Sequence, residues 1–199
     1  MTGVQKDRSQ CRALRLAGVG LMTFGLWGCA TQSMTPTVPT FWLVPGVEAT
    51  LPTVACPSDY SQKTLLTAKR DDRTQRVMTV EVCRNGDYTM DVLTPTGMAL
   101  MTVHYDGKQL TRQAHVPLPK GLEASQMVAD VLLATLPIEH WANVLPNGYH
   151  LEITSNGRMV VDPKGKVVER MIYNEGTTPA RLKSLTHEAF GYTLTFRAL

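Results

Sequence analysis

The stretch Gln75–Leu93, read as QRVMTVEVCR, then Asn85-Gly86-Asp87, then YTMDVL, sets the architecture of the whole chain. Two β-branched, alternating runs flank an Asn-Gly pair, which supplies the positive φ angles that a tight hairpin needs. Outward from it the same grammar repeats. Thr94-Pro95-Thr96-Gly97 separates the second run from Met98–Tyr105, and Asp106-Gly107 leads into Lys108–His115. Gln62–Lys69 precedes the first run as a further strand, so an antiparallel meander of at least four strands is expected here.

Beyond Pro117-Leu118-Pro119 the period changes. Leu122, Val128, Val131, Leu132 and Leu136 recur at helical spacing and Pro137 closes the segment, which predicts one amphipathic helix of about fifteen residues. A second short helical stretch is expected around Ile138–Val144. Strands then resume at Gly148–Thr154, Arg158–Val161 and Val167–Tyr173, with turns at Asn156-Gly157 and Pro163-Lys164-Gly165, and a last stretch runs from Leu182 to Phe196. Strands on both sides of one helix, nearly all joined by hairpins, predict a mainly β (α+β) fold: a curved antiparallel sheet forming an incomplete barrel covered by the helix.

Upstream of this domain, Lys6, Arg8, Arg12 and Arg15 precede an uncharged run, Leu16–Gly28, that is too short for a permanent membrane span of about 20 residues. Residues 1–28 are therefore expected to be an export signal. Leu26-Trp27-Gly28-Cys29 resembles the bacterial lipobox, with a bulkier residue at 27 than that motif favours, and implies that Cys29 carries the lipid. A secreted protein with a chance cysteine is the alternative. Ala30, by resemblance to enterobacterial sorting, implies the outer membrane, with the domain facing the periplasm. Residues 29–52, with Pro36, Pro39, Pro45 and Pro52, are expected as a tether, and residues 53–199 as the periplasmic domain. Phe41-Trp42-Leu43 interrupts the tether and is expected to dock on the domain, contact with a membrane surface being the alternative.

Charge removes one class of partner. The chain has 20 Lys and Arg against 17 Asp and Glu, but the leader takes four bases and one acid with it and leaves 16 of each. No field remains to steer nucleic acid, so no nucleic-acid partner is expected. Cys11 leaves with the leader and Cys29 takes lipid, so Cys56 and Cys83 are the thiols left for an oxidising compartment. A structural disulfide between them is expected, free thiols being the alternative.

Catalytic and metal signatures are missing: there is no Gly-x-Ser-x-Gly elbow, no phosphate loop, no His-Glu-x-x-His, and the five histidines are scattered one to an element. No enzyme activity, cofactor or metal is expected. Asp130 on the helix is read as a capping or sheet-edge hydrogen bonder, and His104 as solvated or hydrogen-bonded. Met78, Met90, Met98, Met101, Met127, Met159 and Met171 suit an adaptable greasy pocket, and equally an ordinary core.

Together, Asp106-Gly107, Pro117-Leu118-Pro119, the helix through Asp130 and Leu133 to Pro137, Leu145-Pro146-Asn147-Gly148, Arg158 and Ile172-Tyr173 carry a resemblance over residues 55–199. The chain resembles a family of uncharacterised Gram-negative lipoproteins, often encoded beside aryl-polyene or fatty-acid-type biosynthesis genes. That family is similar in layout to the LolA and LolB lipoprotein carriers, whose half-barrel and helical lid enclose a greasy cavity. The resemblance implies a lipid, acyl or aryl-polyene-type ligand, bound or helped into place in the envelope. Expected lining residues are Met90, Val92, Met101, Val103 and Tyr105 from the meander, Val128, Val131 and Leu132 from the helix, and Leu194 and Phe196 from the last strand. A scaffold lipoprotein that docks another envelope protein, with a filled core, is the alternative. An enzyme of lipid modification is a weaker one, and it predicts a convergent polar cluster inside the cavity.

Overall fold

A computed structural model describes residues 38–118, 123–176 and 181–199. The expected leader, Cys29, the first part of the expected tether and Leu122 lie outside the described residues. In chain order the elements are β1 (Thr40–Val44), β2 (Val47–Thr50), β3 (Tyr60–Arg70), β4 (Arg73–Arg84), β5 (Asp87–Leu93), β6 (Ala99–Tyr105) and β7 (Leu110–Ala114). After them come α1 (Ala124–Thr135), a 3-10 turn at Ile138–His140, β8 (His150–Thr154), β9 (Gly157–Val161), β10 (Val167–Tyr173), β11 (Leu182–His187) and β12 (Tyr192–Ala198).

Strands β3 to β12 form one ten-stranded antiparallel sheet in the order β7-β6-β5-β4-β3-β12-β11-β10-β9-β8. Each half is a meander, and the halves join where the last strand, β12, pairs antiparallel with the first of the sheet, β3, from Tyr192↔Arg70 to Ala198↔Thr64. The sheet is not closed, so the architecture is an incomplete barrel with one helix. Both halves bury residues in one core with α1: Met90 and Val103 from one, Val160, Met171 and Leu185 from the other. A sheet that meets one helix from both of its ends is curved around it.

The turns follow the residues that can make them. Asn85 and Gly86 both have positive φ, 54° and 87°, which twists β4 into β5 without splaying them. Gly157 is required for another reason: a Cβ there would run into the carbonyl oxygen of Met171 on the neighbouring strand, so only glycine lets β9 and β10 pair.

Two features depart from the sequence reading. The stretch from Leu182 to Phe196 is two strands, β11 and β12, with Glu188–Gly191 turning between them. Thr40–Thr50, assigned to the tether, is a β1–β2 hairpin, with Phe41 and Leu43 buried in the core and Trp42 left 44% exposed between them. Phe41 meets Trp141 edge to face at 6.0 Å, and the Trp42 amide donates to Gln126 Oε1 on α1 at 3.2 Å. The hairpin therefore covers the side of α1 that an amphipathic helix would give to water. In consequence Val128 through Ala134 are buried without a break, where the expected pattern was a single apolar stripe.

Candidate functional site

The central strands differ from the rest of the sheet. On β5 and β6 the inward positions are sealed, whereas on β3 and β12 the inward Leu66, Ala68, Leu194 and Phe196 are only partly covered. Strands β3 and β4, of 11 and 12 residues, are the longest, and the 12-residue helix does not fill the hollow they make. The result is an apolar cavity of about 460 Å³ between α1 and the sheet, within the usual size range of small-ligand sites. Leu66, Ala68 and Val77 form its wall on β3 and β4, Met90 and Val92 its floor, Leu194 and Phe196 its other wall, and Met127 and Val131 its roof, with Leu100 and Leu118 at one side.

A second, more polar cavity of about 600 Å³ adjoins it, and the two share Glu81, Val131 and Phe196. Tyr60, Gln62, Lys63, Thr64, Arg158 and Asn174 are among its lining. Glu81 at the junction is buried, with Gln62 Nε2 donating to Oε2 at 3.0 Å and the Thr79 hydroxyl to Oε1 at 3.4 Å. Burial pushes its carboxyl above the ordinary range, opposed by those hydrogen bonds. Beside it the Tyr60 hydroxyl is buried without a hydrogen-bond partner among the described residues, whereas the Tyr88 hydroxyl interacts with the Glu81 carboxyl and helps to hold its pKa down. Burial and the nearby Glu81 carboxyl raise the pKa of both.

At the other end of the apolar cavity, Asp130 of α1 accepts from Gln126 Nε2 at 2.9 Å and from the Tyr192 hydroxyl at 2.8 Å. Burial raises its carboxyl to about 7. Glu169 on β10, fully buried, is pushed well above the usual range by burial and by Asp130. His187 pairs in register with Glu169 on one side and Tyr192 on the other, its ring 4.6 Å from Phe190 and 5.1 Å from Tyr192. Burial lowers its imidazole to about 4.

The helix is fastened over this hollow at its C-terminal end. Arg158 Nη1 donates to Leu133 O at 3.1 Å and Leu136 O at 2.6 Å, and the Tyr173 hydroxyl donates to Ala134 O at 2.5 Å. These bonds satisfy carbonyls that the helix cannot pair itself.

Of the expected lining, Met90, Val92, Val131, Leu194 and Phe196 meet at the apolar cavity. Met101, Val103, Tyr105, Val128 and Leu132 face the same interior but lie in the sealed core beneath or beside it. The Tyr105 hydroxyl donates to Pro52 O and so holds the segment between the hairpin and β3. Cys56 and Cys83 are bonded, with Cα atoms 5.7 Å apart. Asp130, read from sequence as a cap or edge hydrogen bonder, is instead a buried carboxyl joining helix to sheet. Glu81, Glu169 and His187 were missed: Glu81 stands between Val80 and Val82, so the alternation of β4 reads it as outward, and neither Glu169, beside Arg170, nor His187, at the end of its strand, has a spacing that marks it. No group of three or more His, Cys, Asp or Glu side chains among the described residues is placed to hold a metal ion, and no helix there is long and apolar enough to cross a membrane.

No curated protein matches the chain. Residues 61–199, which begin in β3 and contain the whole ten-stranded sheet apart from its first residue, match a family model described as "Protein of unknown function (DUF3261)", and the chain belongs to that family.

Proposed function

We propose that this protein is an outer-membrane lipoprotein, anchored through Cys29, whose periplasmic half-barrel binds the apolar chain of a lipid, acyl or polyene-type ligand and helps to place it in the envelope. The observation that carries the reading is the unfilled apolar cavity under α1. A hollow walled by Leu66, Val77, Leu194 and Phe196 loses dispersion contacts while it is empty. An alkyl chain entering it leaves water at a gain of about 0.8 kcal/mol per buried CH₂. The layout of an open sheet with a helix across its concave side is also the one that the LolA and LolB carriers use, which adds an analogy of fold. In this reading the protein is a binder rather than a catalyst, and release follows from movement of α1.

The test is native mass spectrometry with lipid extraction. The mature chain, with Cys29→Ser and a cleavable secretory leader, is purified from the periplasm of its own host. A stoichiometric co-purifying lipid or polyene ester is expected. A ligand-free mass that stays unchanged after incubation with alkyl chains would sink the reading and favour a scaffold that docks another envelope protein.

A further inference from the structure

Strands β3 and β4 pair in unbroken register from Tyr60↔Cys83 to Arg70↔Arg73, so every second pair shares the face that looks into the hollow under α1. Along that face the pairs run Gln62 with Glu81, Thr64 with Thr79, Leu66 with Val77, Ala68 with Gln75, and Arg70 with Arg73. Leu66, Val77, Ala68 and Gln75 line the apolar cavity, and the two arginines follow them at its exposed end. Like charges directly opposite each other destabilise a sheet. Among the described residues neither guanidinium forms an ion pair, Asp71 and Asp72 of the turn between them included.

An amphiphile laid along this ladder brings its head to one end or the other. At the Glu81 end a charged head would have to be buried, which is costly without a dedicated partner. Arg158 is already engaged there by Leu133 O and Leu136 O, and Lys63 falls on the opposite face of β3 by register. At the other end a charged head keeps part of its hydration and meets two guanidiniums whose planar forks fit an oxyanion. Eight residues of strand, about 26 Å, separate Arg73 from Glu81, so solvent screens the state of that carboxyl from this end.

We infer that the ligand is an anionic amphiphile whose head, a phosphate or a carboxylate, lies between Arg70 and Arg73 while its chain lies in the apolar cavity against Leu66 and Leu194. This inference rests on the chain-binding reading above and specifies its ligand class and orientation.

Equilibrium dialysis of the same mature chain at pH 8 and low ionic strength, against labelled hexadecyl phosphate, hexadecanoate and hexadecanol below their aggregation limits, tests it. At least one anion is expected to bind about tenfold more tightly than the alcohol, as one exposed charge-assisted contact would give, and the tighter of the two names the head. That advantage should shrink in about 1 M salt. Arg70→Ala/Arg73→Ala is expected to bring the anions down to the level of the alcohol and to leave alcohol binding unchanged, which also shows that the variant is folded. Lys69→Ala, which removes a charge from the opposite face of the same hairpin, should keep the preference. If the alcohol binds as well as both anions, the anionic assignment is overturned and the chain-binding reading stands. A preference that survives the double variant, or that Lys69→Ala abolishes, overturns the placement at Arg70 and Arg73. If none of the three binds, both readings fall.

Discussion

The Tyr192 hydroxyl donates to Oδ2 of Asp130 at 2.8 Å and so joins the last strand of the sheet to the middle of the helix that roofs it. Asp130 is buried there, and burial raises its carboxyl to about 7. In an unfolded chain the same group ionises near 4. Between those values the folded state holds a proton that the unfolded state has lost, so the contribution is complete below about pH 4 and is lost as pH rises to 7. Glu169 and Glu81, also raised by burial, act with the same sign. His187, lowered to about 4, acts oppositely between pH 4 and 6.5 and masks part of the effect. Thermal unfolding is therefore expected at a lower temperature at pH 8 than at pH 6.5. Asp130→Asn is expected to be about 1 kcal/mol less stable than wild type at pH 5, with that gap closing or reversing by pH 8. A constant gap across the range would show that Asp130 is ionised in the folded protein.

Arg158→Ala removes two charge-assisted hydrogen bonds from the carbonyls of Leu133 and Leu136, and a guanidinium that stands 5.7 Å over the ring of Tyr173. The expected loss is about 3 kcal/mol, or about 8 °C in Tm for a domain of this size. Hydrogen exchange should rise first in the last turn of α1. Uniform acceleration across the sheet would mean that Arg158 acts on global stability and not on the helix end.

The Cys56–Cys83 bond closes a separation of 27 residues and holds the segment that carries buried Leu51 and Ala55 against β4. Loop entropy predicts a stabilisation of about 3.5 kcal/mol. The double variant Cys56→Ala/Cys83→Ala is expected to unfold at correspondingly lower denaturant, and wild type under strong reductant should match it. A reductant-insensitive midpoint would contradict the assignment.

Much of this fold was legible because its turns are chemically explicit. Asn85-Gly86 and Asp106-Gly107 fall where β4 meets β5 and β6 meets β7, and Pro137 marks the helix end. Docking of Phe41-Trp42-Leu43 was legible but the β1–β2 hairpin was not, because Pro39 before it and Pro45 in its turn read as linker, and the Phe41 anchor finds Trp141 only in space. The site was half legible for a reason that lies in β4. Its alternation offers Met78, Val80 and Val82 as the apolar face, yet Thr79, Glu81 and Cys83 are the buried set. Binary pattern favours the greasier face, and here the cavity and its junction lie on the other. Leu194 and Phe196 raised no such conflict, since the alternate positions on β12 are threonines and Arg197, so their inward direction followed from the sequence.

Ala68 offers the most direct separation of ligand binding from stability. It lies on β3 opposite Leu194 and Gln75, lines the apolar cavity, and is only partly covered. A large side chain there has empty space to enter, whereas at sealed Val103 or Met101 it has none. Overpacking a filled core costs about 1–3 kcal/mol, so Val103→Trp is expected to lower Tm strongly. Ala68→Trp is expected to leave Tm within about 2 °C of wild type, because added apolar burial offsets any local adjustment. Occupying the space that an alkyl chain would use, it should also reduce hexadecane uptake at least tenfold. Uptake that persists in a folded Ala68→Trp protein would move the binding site away from the hollow under α1.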